Sequence, residues 1–133
     1  MKQKKIYYWS PFLSPIATCK AVINSASSLK KFGTVYESYI LNFFGEFSNF
    51  DNEIKKNNVK LLNYFNFNLA KFLPYKGKIK SRVSFLVLFI LGFYPLVKFL
   101  KKEKPEYLII HLITSLPLIL LLFFRFETRF ILR

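Results

Sequence analysis

Few side chains in this sequence could carry out chemistry, and this scarcity excludes several kinds of site. His111 is the only histidine and Cys19 the only cysteine, so neither a Cys/His metal site nor a Cys–His nucleophile pair can form within the chain. The 4 glycines are too far apart for a Gly-x-Gly-x-x-Gly turn or a P-loop. Asp51 and Glu53 lie in a polar stretch and are interpreted as solvated surface rather than metal ligands. The sequence therefore predicts no metal and no cofactor.

A loop with several hydroxyl groups follows the first apolar segment. Residues 6–9 predict a buried strand that ends at Ser10, and Thr18 is a candidate N-cap for the helix that comes next. Ligands of open α/β sheets bind at the carboxyl ends of the strands, and free N–H groups at a helix N-terminus can receive a phosphate or a sugar hydroxyl. Ser14 and Thr18 are therefore candidate substrate-binding residues, with an ordinary tight connection as the alternative.

His111 is the second candidate. It closes an apolar segment, residues 108–112, that predicts another strand of the same sheet, and Thr114 and Ser115 follow at the start of a predicted helix. A histidine at the carboxyl end of a parallel strand lies at the ligand-binding edge. His111, Thr114 and Ser115 are therefore predicted to contact substrate. The alternative for His111 is a hydrogen-bonded core residue.

The hydrophobic pattern predicts the elements that must position these residues. In chain order they are strand 6–9, a helix between Thr18 and Gly33, strand 36–42, strand 59–65, helix 83–97, strand 108–112, helix 116–124 and strand 129–132. The polar residues 51–58 and the mixed residues 66–80 are predicted to be connections. This order needs crossover connections. It therefore predicts a single α/β domain, an open parallel sheet with helices on both faces.

The composition and charge favour a folded protein with an anionic partner. Of the 133 residues, 53% are hydrophobic and 20% aromatic, and the formal net charge is +14. Such a chain is not disordered, and its charge suits nucleic acid, anionic lipid or a phosphorylated substrate. A coding sequence rich in A and T is an alternative source of the scattered lysines.

The helix predicted at residues 83–97 is apolar on every side and has basic residues at both ends. Such a helix is either buried or in contact with lipid. A spanning helix needs about 20 apolar residues and a basic excess on one side, so a helix lying in an anionic cytoplasmic interface fits better. Full burial is the alternative. The residues predicted to face the membrane are Lys80, Arg82, Phe85, Phe89, Phe93, Lys98, Lys101 and Lys102.

The sequence resembles the N-terminal, acceptor-side domain of the GT-B glycosyltransferases of group 1, or family 4. Three segments carry the resemblance: Lys-Ile-Tyr-Tyr-Trp-Ser-Pro-Phe at 5–12, Lys-Glu-Lys-Pro-Glu-Tyr-Leu-Ile-Ile-His at 102–111, and Ser-Leu-Pro-Leu at 115–118 leading to Thr-Arg-Phe-Ile-Leu-Arg at 128–133. The resemblance implies a Rossmann-like fold and the transfer of a sugar from a nucleotide-sugar donor to a glycan or lipid-linked acceptor. It places Ser14, Thr18 and His111 on the cleft between two domains.

The same resemblance implies how the chain is organised. In this family a C-terminal domain holds the donor nucleotide, so residues 1–133 are expected to be one Rossmann-like domain of a longer or split enzyme and to be inactive alone. The implied location is the cytoplasmic face of the cell membrane, where the enzyme would build cell-envelope polysaccharide. The helix at 83–97 would bring the cleft to an anionic leaflet.

Two other functions compete with this interpretation. Residues 83–97 and 107–124 could form a transmembrane helical hairpin in a small basic membrane protein without catalysis, because the second segment reaches the usual length threshold. The charge and the aromatic residues could also suit a nucleic-acid-binding module. No recognisable reader motif accompanies them, so no nucleic-acid partner is predicted.

Overall fold

The structure, a computed structural model, describes residues 4–11, 17–33, 35–65, 67–74, 76–111, 119 and 122–133. Its elements in chain order are β1 (Lys4–Trp9), α1 (Ala17–Phe32), β2 (Tyr36–Asn42), a 3-10 turn (Ser48–Phe50), α2 (Asp51–Lys56), β3 (Lys60–Asn63), α3 (Lys78–Glu103), β4 (Tyr107–Ile110) and β5 (Arg129–Leu132).

The strands form one five-stranded sheet in the order β3-β2-β1-β4-β5, and every neighbouring pair is parallel. The chain therefore moves outward from β1 to β3, and α3 then carries it back to β4 on the other side of β1. The direction in which strands are added reverses between β1 and β4. This architecture confirms the predicted α/β class and its parallel sheet with helices.

Two apolar clusters show that helices cover both faces of the sheet. On one face Val22, Ile23 and Ala26 of α1 pack with Ile54 of α2 against alternate strand residues such as Ile40. The Ser38 hydroxyl, which is buried on this face, donates a hydrogen bond of 2.7 Å to the Ala26 carbonyl oxygen. Because side chains alternate along a strand, the residues between these point to the opposite face.

The opposite face packs against α3. Leu96, Phe99 and Leu100 are buried against Tyr7 and Leu108 of the central strands, and the ring centroids of Tyr7 and Phe99 are 4.9 Å apart in an edge-to-face arrangement. The burial of such side chains is the main stabilising contribution to a fold of this kind. The carboxyl-terminal half of α3 therefore forms the helical layer on this second face of the sheet.

By length and composition α3 is also long and apolar enough to cross a membrane, with 26 residues and a mean hydropathy of 2.2 in its most apolar window. Of that window, 39% is buried inside the protein. Core helices of soluble proteins pass the same test, so the composition of α3 does not by itself decide between a core helix and a helix in lipid.

The structure corrects several predicted boundaries. Residues 51–56 form α2 rather than a polar loop, because Ile54 packs on the α1 face of the sheet. Helix α1 begins at Ala17, so Thr18 lies in its first turn and does not cap it. Gly33 follows the last residue of α1, as predicted, and its N–H donates to the Leu29 carbonyl oxygen at 2.7 Å.

Two corrections concern the second half of the chain. Helix α3 is longer than predicted, because the basic residues around the apolar segment continue the helix to Lys78–Glu103. Strands β3 and β4 are shorter than predicted, each with 4 residues. Strand β4 occupies the start of the segment that a hairpin would need as a second helix. Of the helix predicted at 116–124, residues 119, 122 and 123 are described and have helical backbone.

Candidate ligand site at the carboxyl edge of the sheet

Each of the five strands has a polar residue at or just after its carboxyl end, and these residues are aligned across the sheet. The register pairs Trp9 of β1 with Leu41 of β2 and with Ile110 of β4. Ile110 pairs in turn with Leu132 of β5. The next residue on each of these strands is polar, and β3 reaches the same level through its pairing with β2. We call this set the carboxyl-edge row; from β3 to β5 its members are Asn63, Asn42, Ser10, His111 and Arg133.

The backbone ladder continues into the row. The His111 N–H donates to the Trp9 carbonyl oxygen, and the Arg133 N–H donates to the Ile110 carbonyl oxygen, both at 2.9 Å. Ser10 and His111 are therefore neighbours on adjacent strands, which lie about 4.8 Å apart in a sheet. They lie on either side of the point where the strand order reverses, which is where open parallel sheets bind ligands.

The row faces the α1 side of the sheet. Residues in register on parallel strands point to the same face, and residues two apart on a strand share a face. Tyr8 precedes Ser10 by two residues and packs in the cluster formed with α1. The rings of Tyr8 and His111 are 6.3 Å apart between centroids. The side chains of Ser10 and His111 are thus placed at the end of the α1 layer.

Several polar atoms at this edge are buried without a partner. Ser10 is 0% exposed and His111 6% exposed, and neither Ser10 Oγ nor His111 Nε2 has a hydrogen-bond partner among the residues that the structure describes. Buried polar groups in proteins are nearly always hydrogen-bonded, because leaving one unpaired costs about 1–3 kcal/mol. Two such atoms on adjacent strands make this edge the candidate site for a polar ligand.

Glu46 carries a buried carboxyl group in the turn after β2, near the indole of Trp9, which packs on the α3 side of the sheet. The Glu46 side chain is 5% exposed, and its Oε2 accepts a 2.8 Å hydrogen bond from the Phe44 N–H. Within the described residues, Glu46 Oε1 and Trp9 Nε1 both lack a hydrogen bond of normal geometry. Burial raises the pKa of Glu46 to about 7, although nearby backbone N–H groups and the Trp9 indole N–H oppose that rise.

His111 is uncharged at neutral pH. Burial lowers its pKa, and the positive charge of Arg133 lowers it further. A neutral imidazole has one N–H donor and one acceptor nitrogen, which suits a hydroxyl group better than a charged group. Together with the Ser10 hydroxyl on the adjacent strand, His111 can therefore position the hydroxyl groups of a ligand.

The predicted substrate-binding residues do not all lie in the carboxyl-edge row. His111 belongs to the carboxyl-edge row, and Thr18 is half-buried in the first turn of α1. Ser14, Thr114 and Ser115 lie outside the described residues. No cluster of three or more His, Cys, Asp or Glu side chains that could hold a metal exists in the described part of the chain.

Sequence reasoning missed most of the row, although a signal for it exists. Ser10, Asn42, Asn63 and Arg133 are each the first polar residue after the apolar run of a strand. Reading that position on every strand would have found them together with His111. Glu46 has no such signal, because only the folded turn after β2 shows that its carboxyl is buried.

The predicted membrane-facing residues divide into two groups. The basic ones, Lys80, Arg82, Lys98, Lys101 and Lys102, are exposed, and so is Phe85. Phe89 and Phe93 are half-buried and pack against the α3-side cluster, with Phe93 also near Phe124. Helical spacing turns both rings toward the sheet side of α3, and their contact with a membrane stays a prediction. We call the exposed apolar side chains of α3 its outward stripe; they are Ile79, Val83, Phe85, Leu86, Ile90, Leu91 and Tyr94.

No family model matches the chain, and no curated protein or solved structure is significantly similar to it.

Proposed function

We propose that the chain is the Rossmann-like, acceptor-side domain of a GT-B type glycosyltransferase that uses a nucleotide-sugar donor. The order β3-β2-β1-β4-β5 is the order of the first five strands in the doubly wound dinucleotide-binding sheet. The observation that carries the proposal is the pair of buried, unpaired polar groups of Ser10 and His111 at the point where this order reverses.

In this proposal the carboxyl-edge row binds the acceptor. The neutral imidazole of His111 forms a hydrogen bond with an acceptor hydroxyl, and the Ser10 hydroxyl on the adjacent strand forms another. The sugar donor binds on a facing domain. Hydrogen-bonding groups that are already fixed and desolvated discriminate strongly between ligands, because a ligand without the matching hydroxyl leaves them unpaired.

Helix α3 supports a location at the cytoplasmic face of the membrane. Its outward stripe is apolar, with Tyr94 68% and Ile90 61% exposed, and lysine and arginine side chains lie at both ends of the helix. An amphipathic surface of this kind inserts its apolar side chains into the interface and pairs its basic ones with anionic headgroups. A lipid-linked or surface-polysaccharide acceptor would be available there.

The length and hydropathy of α3 favour a second candidate, a small basic membrane protein without catalysis. The packing of Leu96 and Phe99 against the sheet is an argument against a spanning α3, since a helix that crosses a bilayer cannot cover a sheet of this kind. Extraction of membranes with alkaline carbonate separates the two. The proposal expects the chain to be released with peripheral proteins, whereas a spanning hairpin would stay in the bilayer.

Transfer activity tests the proposed function directly. The gene product that contains this chain is assayed in membranes with a set of labelled nucleotide sugars and lipid-linked glycan acceptors. We expect sugar transfer, and His111→Ala should lower kcat/KM by about 100-fold, within the range found when one fixed hydrogen-bonding group is removed from an active site. His111→Gln, which keeps a hydrogen-bonding group, should recover part of the loss.

The exposed Lys56 of α2 provides the matched control. Lys56→Ala should leave kcat/KM unchanged, and circular dichroism checks that each variant is folded. The proposal is contradicted if no donor and acceptor pair gives transfer, or if folded His111→Ala is as active as the wild type.

A further inference from the structure

We propose that a pocket at the β2–β3 end of the carboxyl-edge row, which includes Asn42 and Asn63 of that row, binds an uncharged sugar ring. The pocket has a volume of about 300 Å³, which lies at the lower end of the range for small-molecule sites. We call it the asparagine pocket; the residues that matter for binding are Asn42, Ser48, Asn63, Phe65, Phe67 and Asn68. The assignment of this sugar as part of a glycosyl acceptor rests on the proposed function.

The first observation is that the asparagine pocket has no charged side chain among its described lining residues, in a chain of net charge +14. The pocket on the α3 side of the sheet differs, because its lining includes Lys5, Lys98 and Lys102. An anionic ligand gains most beside fixed positive charges, whereas amide and hydroxyl groups suit a ligand that carries many neutral hydroxyls.

The second observation is that the pocket amides are held in fixed orientations. Asn42 Oδ1 accepts a 3.2 Å hydrogen bond from the Phe47 N–H, and Asn42 Nδ2 donates to Asn63 Oδ1 at 2.7 Å. Asn68 Oδ1 accepts a 3.1 Å hydrogen bond from the Lys71 N–H. These bonds use the Oδ1 atoms of Asn63 and Asn68. Within the described residues, the Nδ2 donors of both side chains are left available to oxygen atoms of a ligand.

The third observation is that the backbone at Gly45 leaves room for the Asn68 side chain in the pocket. Gly45 has a φ of +83°, and a Cβ at this position would lie 2.5 Å from Asn68 Cγ. A side chain here would be strained and would push the Asn68 amide away. The Ala70 N–H donates to the Phe44 carbonyl oxygen at 2.8 Å and ties the same segment to the turn after β2.

The fourth observation is an aromatic surface at the mouth of the pocket. Phe67 is 55% exposed, and its ring centroid is 5.2 Å from that of Phe65. The face of an aromatic ring carries partial negative charge and attracts the C–H groups on one side of a sugar ring. The arrangement of amide donors around an exposed phenyl ring therefore fits a pyranose, with its hydroxyls on the asparagines and its C–H groups on Phe67.

The test uses the 133-residue chain and simple sugars. Methyl glucoside, methyl N-acetylglucosaminide and glucuronic acid are titrated against the labelled chain, and dissociation constants are measured from NMR chemical shifts. We expect a neutral glycoside to bind with a dissociation constant of about 1 mM and glucuronic acid to bind several-fold more weakly. Asn63→Ala and Asn68→Ala should each weaken the neutral sugar by about 5–10-fold, as expected for the loss of one hydrogen bond.

Two further variants keep the test decisive. Phe67→Ala changes an exposed side chain, so it should leave the fold intact and still weaken binding. Asn52→Ala, at an exposed asparagine of α2, should leave binding unchanged. Tighter binding of glucuronic acid than of every neutral sugar, no saturable binding of any neutral sugar, or equal binding by wild type and the Asn68→Ala and Phe67→Ala variants would each overturn the proposal. Sugar binding by the chain without transfer by the gene product would overturn the proposed function alone.

Discussion

The two edges of the sheet carry opposite kinds of polar chemistry. At the amino edge the charged groups are exposed and paired: Lys4 with Glu106 at 3.0 Å, Lys5 with Glu103 at 3.9 Å, and Lys60 with Glu37. At the carboxyl edge Ser10, Asn42 and His111 are buried and uncharged, and some of their polar atoms have no partner within the described residues. The sheet therefore has its exposed ion pairs at one edge and its desolvated polar groups at the other.

The polar groups at the two edges differ in their effect on stability. Exposed ion pairs contribute little to stability, because water screens them and long side chains lose freedom when they pair. Buried polar groups without partners lower the free energy of unfolding. The carboxyl edge is thus the part of the molecule that gains most from a bound ligand, as expected for a preorganised site.

Glu46→Gln is expected to have the largest effect on stability, and the effect depends on pH. The pKa of Glu46 rises from 4.5 to about 7 on folding because of burial. The folded state therefore keeps a proton that the unfolded chain releases, and the free energy of unfolding falls as the pH rises from about 4.5 to 7. Glutamine has the same shape without the charge. The variant should be more stable than the wild type by about 3 kcal/mol at pH 8 and nearly equal to it at pH 4.5.

Urea denaturation of both proteins at the two pH values measures this difference. His111 titrates with the opposite sign, because its pKa is lowered on folding and the protein loses stability as the pH falls through and below about 6.5. Only the difference between Glu46→Gln and the wild type isolates the carboxyl group. A difference that is the same at both pH values would show that Glu46 is not desolvated, and the contrast between the two edges would be lost.

Asn42→Ala is expected to have the next largest effect. The Asn42 side chain accepts a hydrogen bond from the Phe47 N–H and donates one to Asn63, and Phe47 is fully buried. Alanine leaves that N–H without a partner, so the free energy of unfolding should fall by about 2 kcal/mol. Asn52→Ala on the surface of α2 is the control and should stay within about 0.5 kcal/mol of the wild type. Equal denaturation midpoints for all three proteins would mean that Asn42 is not structurally engaged.

Lys4→Ala at the amino edge should have the smallest effect. Lys4 and Glu106 are both solvent-accessible, and such pairs are screened by water and salt. We expect no measurable change in the urea midpoint, at low or high salt. A loss as large as that of Asn42→Ala would remove the distinction between an edge of screened charges and an edge of desolvated polar groups.

The sequence predicted the fold better than the site. Strands β2 and β5 form at the predicted residues, because their apolar runs end at clear polar boundaries. Helix α2 was missed, because only Ile54 marks its buried side and a single apolar residue shows no period. Helix α3 was predicted too short, because its ends are basic rather than apolar.

Of the carboxyl-edge row, the sequence predicted only His111 as a substrate-binding residue. A histidine stands out by its type, whereas Ser10 and Asn42 are common polar residues whose significance comes from their shared level in the sheet. That level depends on the register between strands, which pairs residues far apart in the chain. Glu46 was also missed, because its carboxyl is buried only in the folded turn after β2, near Trp9 of another strand.

The most direct test of the central claim is a map of where an acceptor binds. A two-dimensional amide NMR spectrum of the labelled chain is recorded with increasing amounts of a short-chain polyprenyl diphosphate disaccharide. If the carboxyl edge is the ligand edge, the amide signals of Ser10, Asn42 and His111 shift and saturate. Saturable shifts confined to Lys5, Glu37 and Arg129 at the amino edge would contradict the claim, and so would the absence of saturable shifts.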